Sequence, residues 1–380
     1  MGSLTAGSVV FGSSTRITEL QFLLMKLRSL LVLTAVGLGV STVRIRADDA
    51  EMLAGAGRVL FLGDSITYSG QYVELIEAYF VTRFPKRQIE FLNLGLPSET
   101  VSGLSEPGHA GGAFPRPDLH ERLARVLEKT KPDMVIACYG MNDGIYLPFA
   151  EERFARFKDG LLWLREHVRA AGAKIIHVTP PIFDETKGGH PGYSDALDRY
   201  ADWMLGQRAA GWDVVDLHRP MGRLLAERRK ADPSFFLAGD GVHPNETGHW
   251  IIAKQILLHL GAKDLANAND PRAMLATHAN GEALLKLVQQ RQRLLKDAWL
   301  TATGHQRPGM NKGLPLAEAE AKAVDLGKQI RALAKEVGQA SRLQESIWQA
   351  GRLPHYFRMS AHSSANWAQS IWIWWRPARL

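Results

Sequence analysis

Val59-Leu60-Phe61-Leu62-Gly63-Asp64-Ser65-Ile66-Thr67 is an apolar run that ends abruptly in Gly-Asp-Ser. Such a run suits a strand buried on both faces, as in a parallel sheet covered by helices. The serine then falls at the turn leaving the strand. A serine hydroxyl is a poor nucleophile at its free pKa and needs such an exposed turn, close to a base and to oxyanion donors. Gly-Asp-Ser alone also describes a plain turn or a helix N-cap, with Asp64 as the cap. The segments around it decide between these readings.

Outward from this segment, short Val/Ile/Leu-rich runs alternate with amphipathic stretches. Strands are expected at Arg58-Leu62, Ile89-Leu92, Met134-Cys138, Lys174-Val178 and Asp213-Leu217. Helices are expected near Gln71-Arg83, Leu119-Lys129, Ala150-Ala171, Ser194-Ala210, Pro220-Arg229 and Glu246-Leu260, the last with Asn245 as N-cap. Right-handed crossovers turn this order into an α/β fold, a three-layer α/β/α sandwich with a mostly parallel five-stranded sheet. Its chemistry should gather at the carboxyl ends of the strands.

Past Gly261 the strands vanish, and Glu282-Leu300 and Leu316-Val337 read as two long helices forming a hairpin. The connection between them, Gly304 to Gly313, is glycine-rich and basic. It reads as an ordinary turn, with Arg307 reaching substrate as the alternative. From Met359 four tryptophans follow without helical period, as in an irregular or disordered tail. At the other end, Met25-Lys26-Leu27-Arg28 supplies a basic region, Ser29 to Val40 an apolar one, and Ile45-Arg46-Ala47 a cleavage site. The expected organisation is an upstream extension and signal peptide over 1–47, the α/β sandwich domain over 48–262, a helical extension over 263–358 and a tail over 359–380. A secreted or periplasmic protein is expected, with an uncleaved anchor as the alternative. The apolar stretch is shorter than the roughly 20 residues a membrane span needs.

The net charge of +7 comes without a Lys/Arg block interleaved with aromatics, so no nucleic-acid partner is expected. Cys138 is the single cysteine, which excludes an internal disulfide and a cysteine metal cluster; its apolar surroundings suit an inert buried thiol.

Three segments extend the Gly-Asp-Ser signal. Asn93-Leu94-Gly95 follows the second strand, and its glycine lets the backbone come close to a ligand. Gly140-Met141-Asn142-Asp143 follows the third, where an amide can donate to an oxyanion. Asp240-Gly241-Val242-His243-Pro244 precedes the last helix of the sandwich, and its spacing lets the carboxylate hold one imidazole nitrogen while the other faces Ser65.

Together these four segments resemble blocks I, II, III and V of the SGNH (GDSL-like) hydrolases, over roughly Arg58 to Leu260, with Ile66 where the family name has Leu. The resemblance implies a flavodoxin-like sandwich and a serine esterase. It assigns Ser65 as nucleophile, His243 as general base and Asp240 as its orienter. Ser65 N–H, Gly95 N–H and the Asn142 amide would form the oxyanion hole. No cofactor or metal is implied. The expected substrate is a short acyl ester, an acetyl group on an extracellular carbohydrate. Alternatives are a lysophospholipase or thioesterase and, in a different class, a non-catalytic binding module on the same sandwich. Among nearby residues, His249 reads as a helix-surface histidine, His109 as solvated in the Gly103-Gly112 loop, and Asp143 as a turn cap. Tyr146 and Phe149 divide evenly between acyl pocket and core.

Overall fold

The run at 59–62 forms the middle of β1 (Arg58–Gly63), in which every residue after Arg58 is buried. Parallel pairing joins β1 to β2 (Glu90–Asn93) on one side and to β3 (Met134–Cys138) on the other. With β4 (Lys174–Val178) and β5 (Asp213–Val215) this makes a five-stranded sheet in the order β2-β1-β3-β4-β5, parallel throughout. The computed structural model describes residues 53–350, with side chains through 335. The expected signal segment and the tryptophan-rich tail lie outside the described residues. β5 stops short of the expected Leu217 because the N–H groups of Leu217 and His218 turn to Thr179 Oγ1, at 2.9 and 3.0 Å.

A short helix, α1 (Ser65–Ser69), follows β1 directly. The sequence reading did not expect it. After it come α2 (Gln71–Arg83), α3 (Leu119–Thr130), α4 (Glu151–Ala170), α5 (Glu185–Gly188), α6 (Tyr193–Gly206), α7 (His218–Ala231) and α8 (Glu246–His259). Asn245 caps α8 by accepting from Gly248 N–H. Right-handed crossovers put α2 and α8 together on one face and α3, α4 and α6 on the other. The central strands are therefore apolar on both sides. The chain reverses its direction of winding between β1 and β3, and ligands of open parallel sheets gather at the carboxyl ends there.

The C-terminal region adds α9 (Pro271–Leu275), α10 (Gly281–Thr303) and α11 (Leu316–Ala350). Leu295, Trp299 and Leu300 of α10 enter the core of the sandwich. Leu284 and Val288 instead meet Ile330 and Ala334 of α11 in a smaller cluster, with Leu287 and Val81 packed against it. Polar ties reinforce the join. Glu77, fully buried on α2, accepts from Arg291 and Gln292 of α10, and Lys296 donates to Tyr68 O at 2.7 Å. Among the described residues no helix is long and apolar enough to cross a membrane.

Candidate active site

Ser65 is the first residue of α1, and two features of the chain put it there. Gly63 permits the turn: a Cβ at this position would lie 2.1 Å from Thr67 Oγ1 and 2.7 Å from Cys138 O. Asp64 starts the helix by accepting from Ile66 N–H at 2.9 Å, as an N-cap carboxylate does. Burial pushes the Asp64 carboxyl up to about 7.

His243 lies across the cleft, with Nε2 2.9 Å from Ser65 Oγ. Its other nitrogen, Nδ1, is 2.6 Å from Asp240 Oδ2, and its backbone N–H donates to Asp240 Oδ1 at 2.8 Å. The acid three residues upstream thus fixes both the backbone and the ring of the histidine. Burial alone would raise the Asp240 carboxyl, but bonds from the His243 ring, His243 N–H and Val242 N–H outweigh it and hold the group down to about 2. The carboxylate is therefore ionised and can only accept, so Nδ1 carries the proton and Nε2 is free to accept from the serine. The side chains of His243 and Asp240 are 54% and 55% exposed, so this edge of the site opens to solvent.

The three expected oxyanion donors come from three separate elements. Ser65 N–H stands at the start of α1, where backbone donors have no intrahelical partner. Gly95 lies flat against α1: a Cβ would be 2.4 Å from Tyr68 N and 2.7 Å from Thr67 Cβ. Its N–H donates to Asn93 Oδ1 at 3.0 Å, so it would meet a ligand as a shared donor. Asn142 is buried beyond β3 and donates through Nδ2 to Glu99 O at 3.3 Å.

Several neighbours differ from their sequence readings. Asp143 reaches beyond its own turn: its Oδ1 accepts from Val101 and Ser102 N–H at 2.9 and 2.8 Å, tying the long loop after β2 to the exit of β3. Burial pushes its carboxyl up to about 6. His249 is buried rather than on the helix surface, stacked on Tyr72 with Nε2 3.1 Å from Ser69 Oγ. His109 is held between Glu106, 3.3 Å from its Nδ1, and the edge of Phe114 rather than solvated. Tyr146 joins an aromatic cluster with Phe183, His190 and Tyr193, and Phe149 packs on Phe154. Arg307 donates to Pro97 O at 2.9 Å and lies over Phe114, so the inter-helix connection abuts the loop that follows Gly95. Cys138 is buried, which raises its thiol well above the ordinary range.

Sequence reasoning missed Arg116 and Glu106. Arg116 Nη1 donates to Asn142 Oδ1 at 3.0 Å, and Glu106 grips the same guanidinium. Nothing local marks either residue, because both lie in the long loop after β2 and the contact to Asn142 joins positions 26 apart, on either side of α3 and β3.

Comparison with known proteins yields a match to the model of the GDSL-like lipase/acylhydrolase family over residues 61–251. No curated protein matches the sequence. Among solved structures, a gut microbial diltiazem-metabolizing enzyme is 24% identical with a TM-score of 0.45, covering 54% of this chain. The chain spans 47% of that enzyme's length. An acetylxylan esterase from Geobacillus stearothermophilus is 23% identical with a TM-score of 0.44, over 56% of this chain and 97% of its own. An alpha/beta hydrolase enzyme from the metagenome of Lake Arreo, Spain, is 26% identical with a TM-score of 0.40, over 55% of this chain and 96% of its own.

Proposed function

The chain belongs to the GDSL-like lipase/acylhydrolase family and is a carboxylic ester hydrolase, and we propose that it cleaves short acyl esters, acetyl groups on an extracellular carbohydrate, through Ser65, His243 and Asp240. The observation that carries this reading is the continuous chain from Ser65 Oγ through the His243 ring to Asp240, at 2.9 and 2.6 Å. Ser65 attacks the ester carbonyl while His243 Nε2 takes its proton, and Asp240 stabilises the imidazolium that forms. Ser65 N–H, Gly95 N–H and Asn142 Nδ2 receive the developing oxyanion. Collapse expels the alcohol, protonated by His243. A water activated by the same imidazole then releases the acyl group from Ser65.

Two features favour a small acyl group on a large alcohol. The Asn142 amide oxygen is bonded by Arg116 and Tyr146, with Glu106 behind Arg116, so the side chains that frame this donor are polar and offer a long alkyl chain little apolar surface to bury. The half-exposed His243 and Asp240 leave the alcohol side open to a bulky polyhydroxylated leaving group. The apolar segment preceding Ala47 supports an exported protein acting outside the cell.

Hydrolysis of p-nitrophenyl esters of increasing chain length, beside release of acetate from an acetylated polysaccharide, tests this with the chain and its Ser65→Ala variant. The expected result is serine-dependent turnover that falls steeply beyond short acyl chains. A preference for long chains would replace it with a lysophospholipase or thioesterase reading. No turnover of any ester by folded protein would favour a binding module.

A further inference from the structure

Asn142 reaches the site with its amide already oriented. A primary amide has an acceptor oxygen at one end and two N–H donors at the other, and a flip exchanges them. Here Oδ1 accepts from Arg116 Nη1 at 3.0 Å and from the Tyr146 hydroxyl at 3.2 Å. A guanidinium has no acceptor, so the flipped amide would set donor against donor. Nδ2 is held on the opposite side, where one hydrogen goes to Glu99 O at 3.3 Å and the second remains for an oxyanion.

Both donors are themselves held. Glu106 accepts from Arg116 Nε and Nη2 at 2.6 Å each, a bidentate pair. Arg116 is only 8% exposed, its backbone N–H donates to Ser105 Oγ at 2.9 Å, and its guanidinium lies 5.3 Å over the Tyr146 ring. Tyr146 is presented by an unusual turn in which Ile145 and Tyr146 have φ of 50° and 55°. A positive φ at a β-branched residue is an outlier, and it persists where surrounding contacts over-determine it. This turn starts from the Asn142 segment itself, since Ile145 N–H donates to Asn142 O at 3.0 Å.

We propose that Arg116 and Tyr146 are positioning residues that aim the Asn142 amide at the oxyanion, with Glu106 holding Arg116 for that task. The inference rests on the esterase reading above. If Arg116 acts only through Asn142, its removal matters only while Asn142 is present. A side chain that merely supports the fold, or that binds substrate directly, would behave otherwise.

The test is a double-mutant cycle on the full chain with p-nitrophenyl acetate. Arg116→Met should lower kcat about 10-fold with KM nearly unchanged, a fraction of the effect of deleting the donor itself. In an Asn142→Ala background, already slower by on the order of 10²- to 10³-fold, the same change should have no further effect. Tyr146→Phe removes one hydroxyl and spares the ring packing. It should cost about 3-fold in kcat, again only when Asn142 is present. It provides the cycle if Arg116→Met does not fold. Equal losses in both backgrounds, a raised KM with kcat intact, or no loss in either variant would overturn the proposal. The esterase reading fails separately, if Ser65→Ala retains turnover.

Discussion

Two serine–histidine pairs stand one helical turn apart, and only one has the makings of a nucleophile. Ser65 and Ser69 are both on α1, and their partners His243 and His249 lie 2.9 and 3.1 Å away. Beyond the first imidazole stands a carboxylate; beyond the second, Nδ1 is buried and has no partner among the described residues. Ser69 spends its one proton on Ile66 O at 2.7 Å, so His249 Nε2–H must donate to Ser69 Oγ. Asp240 imposes the opposite tautomer on His243, leaving Nε2 to accept from Ser65. Exposure is reversed as well: His243 is open to solvent, whereas His249 is 2% exposed. Burial, assisted by the charge of His243, lowers His249 to about 4 and keeps it neutral. What makes a base of an imidazole is therefore the group on its far side together with access, rather than a serine within reach.

Removing each histidine in turn separates the two pairs. His243→Ala should lower kcat by about 10⁴- to 10⁶-fold, and His249→Leu should leave turnover per folded molecule within about 3-fold. Similar losses from both would mean that the second pair takes part in the chemistry. Asp240→Asn alters the tautomer and removes the charge that stabilises the imidazolium. An amide N–H facing Nδ1 would move the imidazole proton to Nε2, and a loss of about 10²- to 10⁴-fold in kcat is expected; a nearly normal rate would show that Asp240 neither sets the tautomer nor stabilises the imidazolium.

Smaller effects should appear in stability. His249→Leu, which removes a buried ring stacked on Tyr72 and its bond to Ser69, should cost about 1–3 kcal/mol in urea unfolding. Asp64 adds a pH dependence. Its carboxyl is raised from 3.8 to about 7 by burial, so the folded chain holds the proton more tightly than the unfolded one. That stabilisation is complete below the unfolded value and is lost as pH rises through the folded one. Asparagine can still cap α1 but does not titrate, so Asp64→Asn should gain about 2–3 kcal/mol relative to the parent between pH 5 and pH 8. An unchanged difference across that range would place the carboxyl near its ordinary value.

What could be read from the sequence divides along the range of the contacts involved. β1, β3 and β4 were legible because buried parallel strands are written as continuous Val/Ile/Leu runs. The pairing of Asp240 with His243 was legible because the two lie within one turn. Ser65, Gly95 and Asn142 were legible because each directly follows a strand, and strand ends converge in a parallel sheet. Arg116, Glu106 and Asp143 were not, since their partners are reached across loops whose course no periodicity describes. The burial of His249 was also hidden. It depends on α8 packing over α2, and α8 is apolar on nearly all sides, so its buried face is not marked by a stripe. The C-terminal hairpin was visible as two helices, but its insertion of Trp299 and Leu300 into the sandwich core was not.

The most direct test of the account is to react the full chain with an aryl fluorophosphonate, which phosphonylates an activated serine, and to locate the adduct by mass spectrometry. The expected result is a single adduct on Ser65, absent from Ser65→Ala, strongly slowed in His243→Ala and unaffected in Ser69→Ala. An adduct on Ser69, or labelling of Ser65 that does not depend on His243, would contradict it.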